Sequence, residues 1–561
     1  MSERFAIYAP SPQLGSVQNP FGKDTANIGL FRALAQHGGF EELAVLSPVP
    51  GSEADLARSL LQGRPGPTRV AGGSIYDPRA AARAGSVLRG KADLADQAWL
   101  RRRTGDRAYS LLGLIHTIGA PAIREYLSMA AIAPLQPWDA LICTSPSVQD
   151  GMRAMFDEFG AYIADRFGGT VRARPDLPLV PLGVDGAAHA EQADRLDRRA
   201  ELRARLGVGP EDVLVLWLGR LSFFEKAFPQ PMFRAVAQAA ALSGRRLHFA
   251  MVGWFPNGEV GRAIYEEAAR AHAPDMPLHL LDGNDRALVG GMWAASDIFL
   301  SLVDNIQETF GLTPLEAMAA GLPVVASDWD GYRYTMRDGI EGFLIRSLGG
   351  PPGAPGRMLG HRHVFHQDSY QSYVGTVAQH TAIDIAQAAE RIARLAADAD
   401  LRRRMGAAGR ERVRTTFDWP VIGRQVAGLA RDLAVRRREA PGFGRPEPWP
   451  ENPVKGDPFH QLGHFATSVL APGTRLSLRP GAGLTEIRAE LERSRSVRLD
   501  SFADGWRANP AECAAVLELL AEGPATLERI LAEVPPVRQE VTAMAVAWMC
   551  KLGLLTWEDA S

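Results

Sequence analysis

Short apolar runs alternate with amphipathic segments along most of this chain. Each run has the length of a buried strand and is followed by a loop and then by helical periodicity. This β–loop–α alternation predicts an α/β fold with parallel sheets covered by helices. The predicted strands are residues 4–9, 43–46, 110–115, 138–144, 212–218, 247–253, 278–281, 297–301 and 323–326.

The most informative pattern contains two glutamates eight residues apart, Glu308 and Glu316. Between them a turn containing Gly311 leads through Pro314 into an Ala/Met-rich helix that stops at Gly321, as the preferences for proline and glycine at helix ends predict. A helix N-terminus offers free N–H groups and partial positive charge, and glycine allows close approach of a ligand. A diphosphate bound there would bring its sugars within reach of both carboxylates. Glutamates with this spacing in isolation are ordinarily solvated.

The ordered set from about Trp293 to Leu344 resembles the E-x7-E region of retaining GT-B glycosyltransferases of family 4, the glycosyl transferases group 1. The resemblance implies two Rossmann-like domains facing each other across a cleft. It also implies a nucleotide diphosphate sugar as donor, UDP- or GDP-linked, with no cofactor or metal required.

The predicted organisation has four parts. Residues 1–186 form an N-terminal Rossmann-like acceptor domain, onto which a helix at 418–438 crosses back. Residues 187–417 form the donor domain, residues 439–460 a Pro-rich linker, and residues 461–561 a small, mainly helical, winged-helix-like accessory domain.

Two basic side chains follow the predicted strand at 212–218, namely Arg220 and Lys226. A planar bidentate cation and a point cation at this spacing can clamp one diphosphate, although neighbouring basic residues are often a solvated pair. The family commonly has glycine after the lysine, whereas this chain has Ala227, which leaves the course of the loop open.

The resemblance implies roles for particular residues. Glu308 would hold the donor sugar, Glu316 the ribose, and His116 would lie over the sugar from the other domain. The expected catalytic residues are Glu308, His116, Arg220 and Lys226, and the expected donor-binding residues are Gly22, Lys23, Gly219, Phe310, Gly311, Leu312, Thr313 and Glu316.

The first loop departs from the family pattern. Family members usually carry a Gly-Gly pair there, and this chain has Gly22-Lys23. The lysine can serve as a point charge for phosphate or can be an ordinary surface residue. Both interpretations stay open.

Four other sequence features are interpreted without assigning them a catalytic role. The Ala- and Arg-rich residues 79–107 predict a helix with a solvated basic face, with a groove for an anionic acceptor or lipid headgroup as the alternative. Residues 347–381 predict a long irregular stretch of functional or mobile character. Neither Asp328-Trp329-Asp330 nor the three histidines at 361, 363 and 366 is expected to bind metal.

Charge and cysteine content exclude several kinds of protein. The 561 residues carry a formal net charge of −2 and three widely separated cysteines, so neither nucleic-acid binding nor a disulfide framework is indicated. Residues 510–561 hold eight acidic against three basic residues, which disfavours DNA binding by the accessory domain. We expect a cytoplasmic protein without a transmembrane segment, with at most peripheral membrane contact.

The resemblance implies a retaining hexosyltransferase that transfers a sugar to a hydroxyl group of a glycan, lipid-linked or small-molecule acceptor, in polysaccharide or glycolipid assembly. The accessory domain would contact a protein partner or position the acceptor. The rival hypotheses are a non-catalytic nucleotide-sugar sensor with the accessory domain as output, and a phosphorylase, which would need a pyridoxal phosphate lysine in a context this chain lacks.

Overall fold

The computed structural model describes residues 4–15, 22–64, 68–169, 174–441 and 452–558. The chain divides into two units, Met1–Pro450 and Glu451–Ser561. The first unit contains two open parallel sheets, and we call the parts built on them the first and second lobes. Across the described residues, no helix is both long enough and apolar enough to traverse a bilayer.

The first lobe is built on six parallel strands in the order β3-β2-β1-β4-β5-β6. This order reverses between β1 and β4, as in the doubly wound fold. The strands are β1 (Arg4–Tyr8), β2 (Glu42–Ser47), β3 (Arg69–Ser74), β4 (Ser86–Arg89), β5 (Ser110–Leu114) and β6 (Ala140–Ile142). The helices are α1 (Gly22–His37), α2 (Glu53–Leu61), α3 (Pro78–Ala84), α4 (Ala95–Arg101), α5 (Ala122–Ile132) and α6 (Pro146–Phe167).

The predicted single helix over residues 79–107 is wrong. Strand β4 interrupts it, after a left-handed Gly85 ends α3, and pairs with β1 and β5. The predicted solvated basic face is wrong for Arg101, which is fully buried. The richness in Ala and Arg concealed a four-residue strand, which is too short to show its own periodicity.

The second lobe repeats the topology, with strand order β12-β11-β10-β7-β8-β9 and parallel pairing throughout. The predicted fold class, GT-B with two Rossmann-like domains, is confirmed. The strands are β7 (Val213–Leu218), β8 (Leu247–Gly253), β9 (Leu278–Asp282), β10 (Ile298–Ser301), β11 (Val324–Ser327) and β12 (Gly342–Ile345). The helices are α7 (Gly186–Ala193), α8 (Leu196–Arg205), α9 (Gln230–Ser243), α10 (Gly258–His272), α11 (Arg286–Ala295), α12 (Leu312–Ala320) and α13 (Tyr332–Thr335).

Residues 347–383 form an ordered insertion, so the predicted irregular stretch is wrong. The antiparallel strands β13 (Ser347–Leu348) and β14 (Ala382–Ile383) close it, and it contains α14 (Ala354–Val364) and α15 (Tyr370–Gln379). Helix α15 packs closely on the loop after β7, since a Cβ on Gly375 would lie 2.8 Å from the Cβ of Phe224. The glycines and prolines that suggested an irregular stretch lie mostly ahead of α14 and in its first turn.

The first unit ends with α16 (Ile385–Ala397), α17 (Ala399–Arg412), a π-helical turn (Val413–Phe417) and α18 (Trp419–Glu439). Helix α18 lies against α1 of the first lobe. The Trp419 ring fills space that only glycine leaves open, because a Cβ on Gly29 or Gly183 would lie 2.3 or 2.5 Å from it. Farther along α18, Arg437 donates to the carbonyl of Gly85. These contacts join the end of the second lobe to the first.

The second unit has its own apolar core, formed by residues such as Leu476, Ile487, Leu517 and Val546. Its three-stranded antiparallel sheet has the order β16-β15-β17. The elements are α19 (Pro458–Gln461), β15 (Arg475–Leu478), α20 (Leu484–Arg495), α21 (Pro510–Ala521), β16 (Ala525–Thr526), α22 (Leu527–Ala532), α23 (Gln539–Lys551) and β17 (Leu555–Glu558).

A buried ion pair organises one edge of the first lobe. Both terminal nitrogens of Arg101 donate to the Asp139 carboxylate, one at 2.6 Å and one at 2.8 Å, and neither side chain is exposed. The same carboxylate accepts the backbone N–H groups of Leu111 and Gln136. A guanidinium in this position is tolerated only while its counter-ion remains.

We therefore expect Asp139→Asn to lower the free energy of unfolding by about 3–5 kcal/mol, because it leaves Arg101 charged and buried without a counter-ion. Urea denaturation followed by circular dichroism measures the change. Asp55→Asn is the matched control, since Asp55 pairs with Arg58 on the exposed surface, and it should cost less than about 1 kcal/mol. Equal losses in the two variants would contradict the assignment.

Candidate functional site

The candidate site lies at the carboxyl ends of β7 and β10, which are neighbours in the second sheet. Ligands of open α/β sheets bind at this end, where the strand order reverses. The loop after β7, residues 219–228, carries Arg220 and Lys226, and we call it the clamp loop. The segment after β10 carries Glu308 and runs into α12. The topology thus brings together residues that are about 80 positions apart in sequence.

Glu308 joins the clamp loop to the beginning of α12. One carboxylate oxygen lies 3.2 Å from Nζ of Lys226, and the other accepts the backbone N–H of Gly311 at 3.1 Å. A side-chain anion therefore lies at the positive end of a helix and beside a cation. The same groups offer an anionic ligand two sources of positive potential, provided that it displaces or shares this carboxylate.

Arg220 also has a carboxylate partner, Glu225, at 2.9 Å. The Ser222 hydroxyl donates to the same oxygen of Glu225 at 3.3 Å, and Gln371 of α15 donates to the other oxygen at 3.4 Å. Glu225 was not predicted as a site residue, although its position immediately before Lys226 was a usable signal. It holds Arg220 at the clamp loop and connects it to the insertion.

Gly311 is required at the start of α12 for two reasons. Its φ is +84°, a region that favours glycine, and a Cβ there would lie 1.9 Å from the ring of Tyr332. Tyr332 is buried beneath it and shares a hydrogen bond with Ser301. The side chain of Phe310 is buried near Phe417, so only its backbone is available to a ligand. Leu312 and Thr313 are half-buried in the first turn.

Gly219 begins the clamp loop and forms part of a tight contact at the ends of three strands. A Cβ on Gly253 would lie 1.8 Å from the carbonyl oxygen of Gly219, and a Cβ on Gly283 would lie 2.7 Å from Cα of Gly253. The backbones at the ends of β7, β8 and β9 therefore approach one another without side chains between them. The sheet edge next to Arg220 is therefore formed by backbone atoms.

Asp304 and Asn305 fix the clamp loop by hydrogen bonds to its backbone. Asn305 donates to the carbonyl of Phe224 at 2.7 Å, and the N–H of Phe228 points at both oxygens of Asp304 at 3.4 Å. Both side chains are buried, and burial raises the pKa of Asp304 well above its usual value. The two residues connect the segment that carries Glu308 to the loop that carries Lys226.

The first lobe contributes His116, just after β5. Its Nε2 lies 3.0 Å from the Asn27 side-chain oxygen and 3.1 Å from the Gly90 carbonyl, so this nitrogen donates to both acceptors. Burial lowers the pKa of His116 to about 4, with Lys23 adding to the effect. The imidazole is therefore neutral at pH 7. Gly22 and Lys23 form the first turn of α1, which begins four residues before the predicted helix; residues 16–21 lie outside the described residues.

Three contacts join the lobes beside Glu308. The Thr309 hydroxyl donates to the carbonyl of His116 at 2.5 Å. A Cβ on Gly119 would lie 2.5 Å from the carbonyl oxygen of Ile306. The third contact is a hydrogen bond from Ser145, the N-cap of α6, to Asp330 at 2.7 Å.

The carboxylates of the D-x-D sequence have separate partners. Asp328 pairs with Arg333 at 3.0 Å, whereas Asp330 accepts from Ser145 across the cleft. Asp330 has a positive φ of +33°, and burial raises its pKa to about 7, with Glu308 adding to the rise. The described residues contain no group of three or more His, Cys, Asp or Glu side chains arranged to hold a metal ion.

Glu316 lines a cavity of about 440 Å³ between the lobes. Helix α1 forms one wall, and the segment Gly183–Asp185 and Trp419 form another. Burial raises the pKa of Glu316, and nearby His189 opposes the rise. The volume is that of an ordinary small-molecule site. The two glutamates therefore face different surroundings, Glu308 the cations and Glu316 this cavity.

Residues 198–347 match the family model described as "Glycosyl transferases group 1". A D-inositol 3-phosphate glycosyltransferase from Nocardia farcinica is 32% identical over 176 residues, which is 31% of this chain and 37% of the relative. A protein of the same description from Stackebrandtia nassauensis is 36% identical over 185 residues, covering 31% and 39%. This chain therefore spans under half of the length of these relatives.

Solved structures resemble the chain over a longer stretch at lower identity. HepE from Anabaena, in complex with UDP and glucose, is 16% identical with a TM-score of 0.49, covering 77% of this chain and all of that one. Sucrose-phosphate synthase from Thermosynechococcus elongatus is 17% identical with a TM-score of 0.45, covering 77% and 99%.

The contact between Ser145 and Asp330 leads to a prediction about pH. The raised pKa of Asp330 means that its ionisation is harder in the folded protein, so the contribution of Asp330 to folding stability falls as pH rises from about 4 to about 7. Asp330→Asn removes this titration and suits the positive φ. Its stability relative to the parent should therefore increase over this pH range, by at most about 1.4 kcal/mol per pH unit, as measured by urea denaturation at several pH values.

Ser145→Ala is the companion variant. The Ser145 hydroxyl favours the ionised form of Asp330, so its loss should raise the pKa of Asp330 further and extend the falling region to higher pH. Parallel stability profiles for the parent and Asp330→Asn would contradict the assignment.

Proposed function

We propose that the whole chain is a glycosyltransferase using a nucleotide diphosphate sugar, on the premise that residues 198–347 match the glycosyl transferases group 1 family model. It transfers the sugar to a hydroxyl acceptor with retention of anomeric configuration. The observation that carries the proposal is the convergence of Lys226 and the Gly311 N–H on one carboxylate at the start of α12.

In this proposal the diphosphate takes over the positive groups that Glu308 now occupies. Lys226 and the first amides of α12 bind its oxygens, and Arg220 adds a second cation while Glu225 holds it in place. Glu308, released from Lys226, turns to the hydroxyl groups of the donor sugar. The exchange of one anion for another avoids leaving Lys226 uncompensated in a partly buried site.

The reaction breaks the bond between the anomeric carbon and the diphosphate oxygen and forms a bond from the same carbon to the acceptor oxygen. Negative charge grows on the departing diphosphate, where Arg220, Lys226 and the amides of α12 stabilise it. The acceptor proton passes to a phosphate oxygen, so no side-chain base is assigned. Neutral His116 lies over the sugar as a hydrogen-bonding group, and no metal is needed.

The cavity beside Glu316 accommodates the nucleoside in this proposal. Its carboxylate accepts hydrogen bonds from the ribose hydroxyl groups, which are strong donors to an anionic oxygen. Gly22 and Lys23 approach the diphosphate from the first lobe, with the first turn of α1 directed at it. The donor panel described below identifies the base, uracil or guanine.

The acceptor class that we propose is a glycan or a lipid-linked or small-molecule hydroxyl, in polysaccharide or glycolipid assembly at the cytoplasmic face of a membrane. The second unit would bind a protein partner or position the acceptor. The alternative function is a nucleotide-sugar sensor without catalysis. Arg220 and Lys226 are each paired with a carboxylate. This favours an enzyme, because each cation can leave its carboxylate for the diphosphate during turnover and return to it afterwards.

A donor panel separates the two. The full chain is incubated with UDP-, GDP- and ADP-sugars, with and without EDTA, and released nucleoside diphosphate is measured. We expect release of nucleoside diphosphate that EDTA does not affect. We also expect NMR to show that the sugar has the same anomeric configuration in the product as in the donor. Tight donor binding without release for every acceptor offered would favour the sensor.

We expect Arg220→Ala and Lys226→Ala each to reduce turnover by about 100- to 1,000-fold, or about 3–4 kcal/mol, because each removes a charge that stabilises the departing diphosphate. Initial rates at saturating donor measure this. Arg245→Ala is the control, since Arg245 forms a surface pair with Glu211, and its rate should be unchanged. Parent-like rates in either clamp-loop variant would remove that residue from the proposed mechanism.

Glu316→Ala should weaken binding of nucleoside diphosphate but leave binding of inorganic pyrophosphate unchanged, because only the former carries a ribose. We expect a loss of about 1.5–3 kcal/mol, the range for a hydrogen bond to a charged group. Calorimetric titration of both ligands gives the comparison, with Lys226→Ala as the reciprocal variant that weakens both. Equal weakening of the two ligands by Glu316→Ala would contradict the ribose assignment.

A further inference from the structure

The second unit exposes large apolar side chains in one short segment between α20 and α21. Leu499, Phe502 and Trp506 are 87%, 82% and 73% exposed, and Val497 beside them is also exposed. A cluster of this kind within ten residues marks a surface that meets something less polar than water.

This segment, residues 497–506, has a definite shape, and we call it the apolar loop. Arg507 ties its backbone inward by donating to the carbonyls of Asp500 and Phe502 at 3.0 and 2.8 Å, and it also pairs with Asp504. The guanidinium lies 4.2 Å from the ring centre of Trp548 in α23, a favourable cation–π distance. The loop is anchored through its polar side, which leaves its apolar side chains directed away from the core of the unit.

Basic residues flank the apolar loop. Residues 493–507 contain four arginines and two aspartates, and Asp504 is paired with Arg507. Arg493 and Arg498 are exposed, and Arg495 is half-buried at the end of α20. The rest of the second unit is dominated by acidic residues, including those of residues 510–561. Positive charge is therefore concentrated beside the exposed apolar side chains of this loop.

We propose that the apolar loop binds the surface of an anionic lipid bilayer. Leucine, phenylalanine and tryptophan side chains next to arginine are the combination that enters the headgroup region, where the apolar parts reach the acyl boundary and the cations meet anionic headgroups. Side chains that extend singly from a loop need no complementary cavity in such a partner. This inference does not depend on the proposed transfer activity.

The test uses the full chain and sedimentation with two kinds of vesicle, pure phosphatidylcholine and an equal mixture of phosphatidylcholine and phosphatidylglycerol. We expect binding to the anionic vesicles at least tenfold stronger than to the neutral ones, and weaker in high salt because charge contributes. The triple variant Leu499→Ser, Phe502→Ser, Trp506→Ser should lose at least tenfold of the anionic binding.

The matched control is Val537→Ser, which changes an 86% exposed apolar side chain elsewhere in the same unit and should bind like the parent. Arg493→Glu with Arg498→Glu should abolish the preference for anionic vesicles. Because all these side chains are exposed, circular dichroism should be unchanged in every variant. Absence of vesicle binding, or equal binding by the parent and the triple variant, would overturn the proposal.

A second measurement separates a lipid surface from a protein partner. If light scattering showed that the full chain self-associates through the apolar loop, with the triple variant monomeric and neither protein binding vesicles, the proposal would be overturned in favour of a contact between copies. Quenching of tryptophan fluorescence by brominated lipid should occur in the parent and decrease in Trp506→Phe. Equal quenching in the two proteins would place the contact elsewhere and also overturn the proposal.

Discussion

A helix that begins at a cleft presents unpaired N–H groups and positive potential, and an anion placed there is stabilised by both. In this protein the carboxylate of Glu308 is that anion at α12 and neutralises Lys226 as well. The pairing ties the clamp loop of one strand to the helix after another strand. Arg220 has a parallel arrangement with Glu225. The site is therefore organised by two internal ion pairs at the clamp loop.

This constraint explains why apparently unrelated residues gather around the clamp loop. Asp304 and Asn305 hold its backbone from one side, and the α14–α15 insertion supports it from another through Gln371 and the close approach of Gly375 to Phe224. A charge pair in a partly buried place is worth little unless its geometry is maintained. The surrounding loops supply that geometry with hydrogen bonds and close packing.

Two hydrogen bonds between the lobes lie next to the same carboxylate. The hydrogen bond from Thr309 to the His116 carbonyl and that from Ser145 to Asp330 both bridge the cleft beside Glu308. Asp330 is held at a positive φ and partly buried, so this contact includes local backbone strain, a feature that concentrates at functional sites. The apposition of the lobes and the charge state of the site are consequently physically linked.

The amino-acid sequence by itself determined the elements that depend on local pattern. Continuous apolar runs predicted nine of the twelve strands in the two parallel sheets, but not β3, β4 or β12. Pro314 and Gly321 predicted α12 and its end, although the helix begins at Leu312, ahead of the proline. Helix ends are predictable in this way because they follow from backbone sterics and unpaired N–H groups within a few residues. Strand β4 and the ordered insertion were not predictable in this way, since a four-residue strand and a glycine-rich segment acquire their structure from their neighbours. The contact between Ser145 and Asp330 was missed for the same reason. These two residues are 185 positions apart in the sequence, and only the packing of two lobes brings such groups within hydrogen-bonding distance.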